Sequence, residues 1–222
     1  KAAGAQFGAS HGLETPLWFA PDGVEDAFSW HRSTDFDHVG AEARAVRNGV
    51  GIIETTGFAK YTVKGMDAAQ WLDRLLAARI PAPGRMVLAP MLKNDGKLIG
   101  DFSLANLGDE CFIAGSGIAE DYHMRWFDQQ LSGDVSVTPH GPGLCGLSIA
   151  GPKARDVLAA LTRTDVSAQA FRFMDIRRID LGMAPALVGR VSFTGELGYE
   201  IWMAPEYQHY VYDRLMEAGA QH

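Results

Sequence analysis

The period of the apolar positions changes along the chain, and each change predicts an element. Phe58 to Val63 alternates as a half-buried strand does. Asp67-Ala68-Ala69-Gln70 then has the polar order of a capping box, with Trp71, Leu72, Leu75 and Leu76 at helical spacing behind it. Val87 to Leu92 and Leu98 to Ala105 read as strands around Asn94-Asp95-Gly96, a hairpin turn because those residue types tolerate positive φ. Glu110 to Ala114 is a further strand, and Ile118, Tyr122, Trp126, Phe127 and Leu131 mark one helix face. Upstream, Glu42 to Asn48 is helix-like and Val50 to Ile53 strand-like. Over residues 1–40, Gly4, Gly8, Gly12, Pro16 and Pro21 break every period, which predicts an irregular arm anchored by Trp18, Phe28, Trp30 and other scattered apolar side chains.

The same order returns in the second part of the chain. Leu147 to Ala154, followed by Val157, Leu158 and Leu161, mirrors Tyr61 to Ala68 followed by Trp71, Leu72 and Leu75, with glycine and alanine coinciding at one offset. Leu98 to Ser103 parallels Leu187 to Ser192, and the strands Cys111 to Ala114 and Ile201 to Ala204 each precede a closing helix, the last over Pro205 to Ala218. The pattern predicts an α+β fold of duplicated half-domains related by a pseudo-twofold. An arm over 1–40 leads into one domain over 41–222, with halves of about 41–140 and 141–222. A ligand crevice is expected between the halves.

Composition narrows the function. With 222 residues, 47% of them hydrophobic, the chain can bury a sizeable core. Its 20 Lys and Arg are scattered and its net charge is −7, which argues against binding nucleic-acid phosphates. No apolar run nears the roughly 18 residues of a membrane span. Cys111 and Cys145 lack CxxC spacing, so reduced, buried thiols are expected, in the cytoplasm or, in a eukaryote, the mitochondrial matrix. Opening on Lys1 and stopping at His222, just past the last predicted helix, the sequence reads as a piece of a longer polypeptide.

Common catalytic signatures are missing. Gly49-Val50-Gly51 lacks the third glycine of a dinucleotide fingerprint, and neither a phosphate-binding GxxxxGK[ST] loop nor a GxSxG elbow occurs. The histidines are isolated, without HxH or HExxH spacing, so no metal site is indicated; His123 reads as a partly exposed, hydrogen-bonded imidazole on its helix. Two places are chemically costly. Asp101 interrupts the apolar strand Leu98 to Leu104, and alternation puts it on one face with Ile99 and Ser103, opposite Leu98, Phe102 and Leu104. In Ser192 to Glu200 two glycines bracket Glu196, leaving room for a flat heterocycle whose aminopyrimidine edge the carboxylate could accept from.

Taken together these segments resemble the folate-binding aminomethyltransferase family, the glycine cleavage T-protein and its relatives. Gly4-Ala5-Gln6-Phe7 through Gly12 to Pro16 is similar to that family's opening GA-F-GW-P segment, with Leu13 where tryptophan is usual. Glu42, Ala45-Val46-Arg47 and Val50-Gly51-Ile52 resemble its E-AVR-VGI stretch, Met91 to Phe102 its aspartate hairpin, and Ser192 to Glu200 its TGE-G-E loop. The resemblance implies a tetrahydrofolate site between the halves, and further C-terminal domains that this chain lacks. It gives Asp101 the place near the reactive folate nitrogens, Glu196 the pterin edge and Phe173 the stacking position, with Tyr199 and Arg190 flanking the loop. Arg172, Arg177 and Arg178 are candidates for a basic patch facing a polyglutamate tail.

Departures from the T-protein pattern point to a branch. Gly100 stands where an acidic residue usually precedes the aspartate, and an expected asparagine is replaced in Ala114-Gly115-Ser116. With Ala119 to Trp126, the chain looks more like the folate domain of dimethylglycine or sarcosine dehydrogenases, in which an upstream flavin domain oxidises the N-methyl amine. The implied activity is transfer of a one-carbon unit from an amine-derived donor to tetrahydrofolate. The alternatives are a non-catalytic folate-binding scaffold, whose KGCYxGQE segment is not matched here, and a folate-dependent S- or O-demethylase.

Overall fold

A computed structural model describes residues 3–10 and 13–222; Gly12 of the opening motif and His11 lie outside the described residues. The chain begins with the hairpin β1 (Ala5–Ser10) and β2 (Leu13–Phe19), followed by α1 (Phe36–Asn48), β3 (Gly51–Glu54), β4 (Ala59–Lys64) and α2 (Ala68–Leu75). Next come β5 (Arg85–Leu92), β6 (Leu98–Asn106), β7 (Cys111–Gly115), α3 (Glu120–Gln130) and β8 (Ser136–Pro139). The second unit opens with that β8 and runs on through β9 (Cys145–Ala150), α4 (Ala154–Leu161), β10 (Ile176–Leu181), β11 (Ala184–Gly189), β12 (Gly198–Met203) and α5 (Gln208–Gly219). The β1–β2 hairpin corrects the irregular reading of the first 40 residues. Pro16 pairs with Phe7 where the register shifts, in a two-stranded ribbon with free edges that tolerate a missing N–H.

All strand pairs are antiparallel. One sheet has the order β5-β6-β7-β4-β8 and the other β10-β11-β12-β9-β3, so the two match strand for strand. Each unit gives its opening strand to the other: β3 flanks β9, and β8 flanks β4. Tyr61 faces Pro139 as Leu147 faces Glu54, which reproduces the repeat seen in the sequence. Gly65 and Gly151, with φ of 125° and 132°, permit the exchange. A Cβ at Gly65 would lie 1.9 Å from the Asp134 carbonyl oxygen, and one at Gly151 2.3 Å from that of Gly49.

The ladders also correct two details. Ser103 faces Ala114 and Leu187 faces Trp202, so Ser103 corresponds to Leu187 and not to Ser192. The hairpin loop of the first unit is longer than the Gly182-Met183 turn of the second, and an ungapped alignment slips across it. Asp67 does not cap its own helix. Its carboxylate accepts from the Asp134 N–H at 2.8 Å, while the Asp134 carboxylate accepts from the Met66 N–H at 2.9 Å, a long-range clasp in place of a local cap.

Four layers result. Trp71, Leu72 and Phe127 from α2 and α3 pack on the outer face of the first sheet, and Val157, Leu158, Val211 and Leu215 from α4 and α5 on that of the second. Fully burying each such side chain contributes roughly 1.5–3 kcal/mol. The inner faces meet through Met86, Ala105 and Phe112 on one sheet and Ile176 and Trp202 on the other. There the Met86 N–H donates to the Met174 carbonyl at 2.7 Å and the Ile176 N–H to that of Gly84 at 2.9 Å, two bonds that an exchange of halves would interchange. Arg85 pairs with the buried Asp175 across the same junction.

Candidate active site between the two sheets

Asp101 is exposed on β6, opposite Pro90, and the next pair on its face is Ser103 with Leu88. That face continues to Ala114 on β7 and to Lys60 on β4, and it is the inner face that Met86, Ala105 and Phe112 share. Ile99, expected beside Asp101, belongs to the outer cluster with Phe102 and Leu104. Met91 pairs with Gly100 and Leu92 with Leu98, so Ile99 is the extra residue of a bulge, which resets the alternation just before Asp101.

On β12, Tyr199, Ile201 and Met203 point into the outer core, while Trp202 joins the inner cluster. Tyr199 is therefore not brought to the crevice: it is 0% exposed and packs on Phe171, with ring centroids 5.6 Å apart. Burial pushes its phenol up, against the pull of Arg155. Alternation places Glu200 on the inner face with Trp202, between Gly189 and Ser148. Burial alone pushes its carboxyl above the ordinary 4.5, and no ion pair or side-chain hydrogen bond holds it among the described residues. The sequence reading missed this residue, although the signal that singled out Asp101, a carboxylate inside an apolar strand, was equally present.

The approximate twofold explains where the crevice opens. On one side Phe112 and Trp202 fill the gap between sheets, with centroids 4.9 Å apart, and Leu107 and Leu144 join them. By register the matching positions on the other side are Glu200, Ala114, Val191 and Phe58. An indole and a benzyl group are there replaced by a carboxylate and a methyl, and Phe58 is half exposed. Asp101 lies on this open side.

A cleft of about 280 Å³ lines the rim there, formed by Phe173, Arg190, Ser192, Gly195, Glu196 and Gly198 among others. Three of the expected residues thus meet in one place. Phe173 is 64% exposed and offers a free ring face. Glu196 is partly buried and 3.5 Å from Arg47 on α1, an ion pair that the sequence did not disclose. Arg190 donates from Nη1 to the Phe171 carbonyl at 2.8 Å, as Asn106 does from Nδ2 to that of Pro81 in the other unit, while its buried Nε has no partner among the described residues. Of the other arginines, Arg178 is engaged with Asp109 and Glu110 of the first unit, Arg177 with the Ala170 carbonyl, and Arg172 remains mostly exposed beside Phe173. Behind the crevice the fully buried Lys60 donates to the Thr56 carbonyl at 2.6 Å; burial lowers its pKa.

Comparison with known proteins identifies the family to which this two-unit architecture belongs. The model of the GCVT N-terminal domain matches residues 1–222, and the chain belongs to that family. It is 33% identical over 217 residues to the mitochondrial dimethylglycine dehydrogenase of Mus musculus, covering 95% of this chain and 25% of that protein. With the aminomethyltransferase of Bacillus subtilis it shares 30% identity over 200 residues, 87% of this chain and 54% of the relative. The chain thus spans between a quarter and about half of these relatives. The glycine cleavage system aminomethyltransferase T from Bartonella henselae superposes with a TM-score of 0.77 at 20% identity, covering 97% of this chain and 54% of that one, which shows the shared fold. No helix among the described residues is long and apolar enough to cross a membrane.

Proposed function

We propose that this chain transfers a one-carbon unit from an amine-derived donor to tetrahydrofolate, as the folate domain of an N-methylglycine-type dehydrogenase or an aminomethyltransferase. The observation that carries this reading is the open side of the twofold, where Glu196, an exposed ring and a guanidinium N–H without a partner among the described residues line one cleft, and where register also places Glu200. The residues fit a reduced pterin: Phe173 provides stacking area, Glu196 at the rim and Glu200 within the crevice can accept from its aminopyrimidine edge, and Arg190 Nε can donate to a carbonyl. When bound, tetrahydrofolate supplies the neighbouring amine nitrogens that take up the one-carbon unit. Asp101, at the exposed end of the same face, stabilises the cationic donor and accepts the proton released on transfer. Tyr199 contributes through the packing behind the loop, not by contact. The donor's origin in an upstream flavin domain is supported by the dimethylglycine dehydrogenase relatives. Reduced, buried Cys111 and Cys145 suit the cytoplasm or a mitochondrial matrix.

Calorimetric titration of 5-formyltetrahydrofolate into the wild type and into Glu196→Ala and Glu200→Gln tests the reading. We expect saturable binding that each substitution weakens by about tenfold or more. A folded wild type that takes up no folate at millimolar concentration overturns it.

A further inference from the structure

Helix α3 buries one imidazole beneath the strand that carries Asp101, and we propose that His123 is a positioning residue for that carboxylate, an inference that rests on the one-carbon-transfer reading. His123 is 1% exposed, where the sequence suggested partial exposure. Its Nδ1 lies 3.1 Å from the hydroxyl of Tyr61 on β4. The Ile99 backbone acts on the ring to raise its pKa, and Nε2 is the ring atom that a Cβ on Gly100 would meet at 2.9 Å. With Nδ1 accepting from the Tyr61 hydroxyl, Nε2 carries the proton and faces the backbone of Ile99 and Gly100. Burial lowers the pKa of the imidazole and raises that of the phenol, so both are neutral at pH 7.

Ile99 is the bulged residue two positions before Asp101. A regular ladder would fix the backbone there, but a bulge leaves groups without ladder partners, and the imidazole packs against this stretch in their place. On the other side of Asp101, the Phe102 ring packs on the same imidazole with centroids 4.7 Å apart. The backbone of Asp101 is therefore held between two residues that both rest on His123. Gly100 completes the arrangement, since a Cβ there would also strike the Phe102 ring at 2.6 Å. A second acidic residue at position 100 and this imidazole exclude each other, which leaves Asp101 as the single carboxylate of the bulge.

The test compares His123→Asn, too short to reach Ile99, with His123→Gln, which keeps a donor near Nε2. In isotope-labelled protein, the Asn variant should speed amide exchange at Gly100 and Asp101 by about tenfold while β4 and β7 stay protected. Its Kd for 5-formyltetrahydrofolate should stay within about twofold of wild type, yet the ligand-induced shift of the Asp101 carboxyl 13C signal should disappear, and the Gln variant should restore it. Unchanged exchange and shift in the Asn variant, loss of protection throughout the sheet, or a Gln variant no better than Asn would overturn the proposal. Absence of folate binding by the wild type would instead sink the one-carbon-transfer reading, because the exchange measurement needs no ligand.

Discussion

At the scale of single residues, the proposed function divides the site into groups that hold and a group that reacts. Asp101 is exposed, and in the proposed reaction its contribution falls on the transfer step. Asp101→Asn should lower the transfer rate by roughly 10²–10⁴-fold with little change in folate Kd. Equal losses in rate and affinity, measured by single-turnover kinetics and calorimetry, would reject this division. Glu200 behaves differently because burial favours its neutral form. A ligand that donates to its carboxylate favours the charged form, so folate binding must release a proton while Glu200 is protonated. Affinity should therefore rise with pH up to the raised value of the free protein and then level off. Calorimetry across that range checks the sign, and Glu200→Gln should flatten the profile. Asp101 was legible in the sequence because a carboxylate stands out in an apolar strand. Tyr199 misled because proximity in sequence to Glu196 says nothing of which face a side chain takes, and one residue of alternation sends it to the outer core.

At the scale of elements, the exchanged strands depend on two glycines. Replacing Gly65 or Gly151 with alanine sets a Cβ against a backbone carbonyl that cannot rotate away, at a φ that L-residues rarely adopt. Each substitution should cost about 3 kcal/mol or more, read as a lower denaturant midpoint. Gly57→Ala, in open space, should change stability by less than about 1 kcal/mol. If all three behave alike, strand exchange does not depend on these close approaches. The elements themselves were largely legible: the helix behind Trp71 and the Asn94-Asp95-Gly96 hairpin appear where the periodicity put them. The β1–β2 ribbon was not, because glycine and proline hid its alternation. The Ile99 bulge was equally hidden, since an inserted residue leaves no mark in the pattern until partners are known.

At the scale of the whole molecule, the junction of the two units carries a buried charge. Asp175, 4% exposed, is pushed up by burial, but the Arg172 N–H and the Arg85 guanidinium outweigh this and hold its carboxyl below the ordinary 3.8. A depressed carboxylate stabilises the fold above its unfolded pKa, and that contribution fades as pH falls through the folded value. His123 and His140 are lowered from 6.5 by burial, so the unfolded chain binds their protons first. Stability should thus decline in two stages on acidification, first below about 6.5 and again below 3.8. Asp175→Asn should cost about 3 kcal/mol at pH 7, because Arg85 is left half-buried without its partner, and should remove the second stage. Equilibrium unfolding followed from pH 7 to pH 3 checks both.

The duplication was fixed by the chain itself, because the strand, glycine turn and helix of each unit are local patterns that recur in order. So was the chemistry of its rare polar residues, since a carboxylate in an apolar run is costly wherever the strand ends up. Only the tertiary structure decided that β3 and β8 change places, that Ser103 matches Leu187, and which side of the twofold stays open. Those outcomes depend on how far-separated side chains share one space. Phe112 and Trp202 close one side of the seam, and Ala114 and Glu200 leave the other open for a ligand.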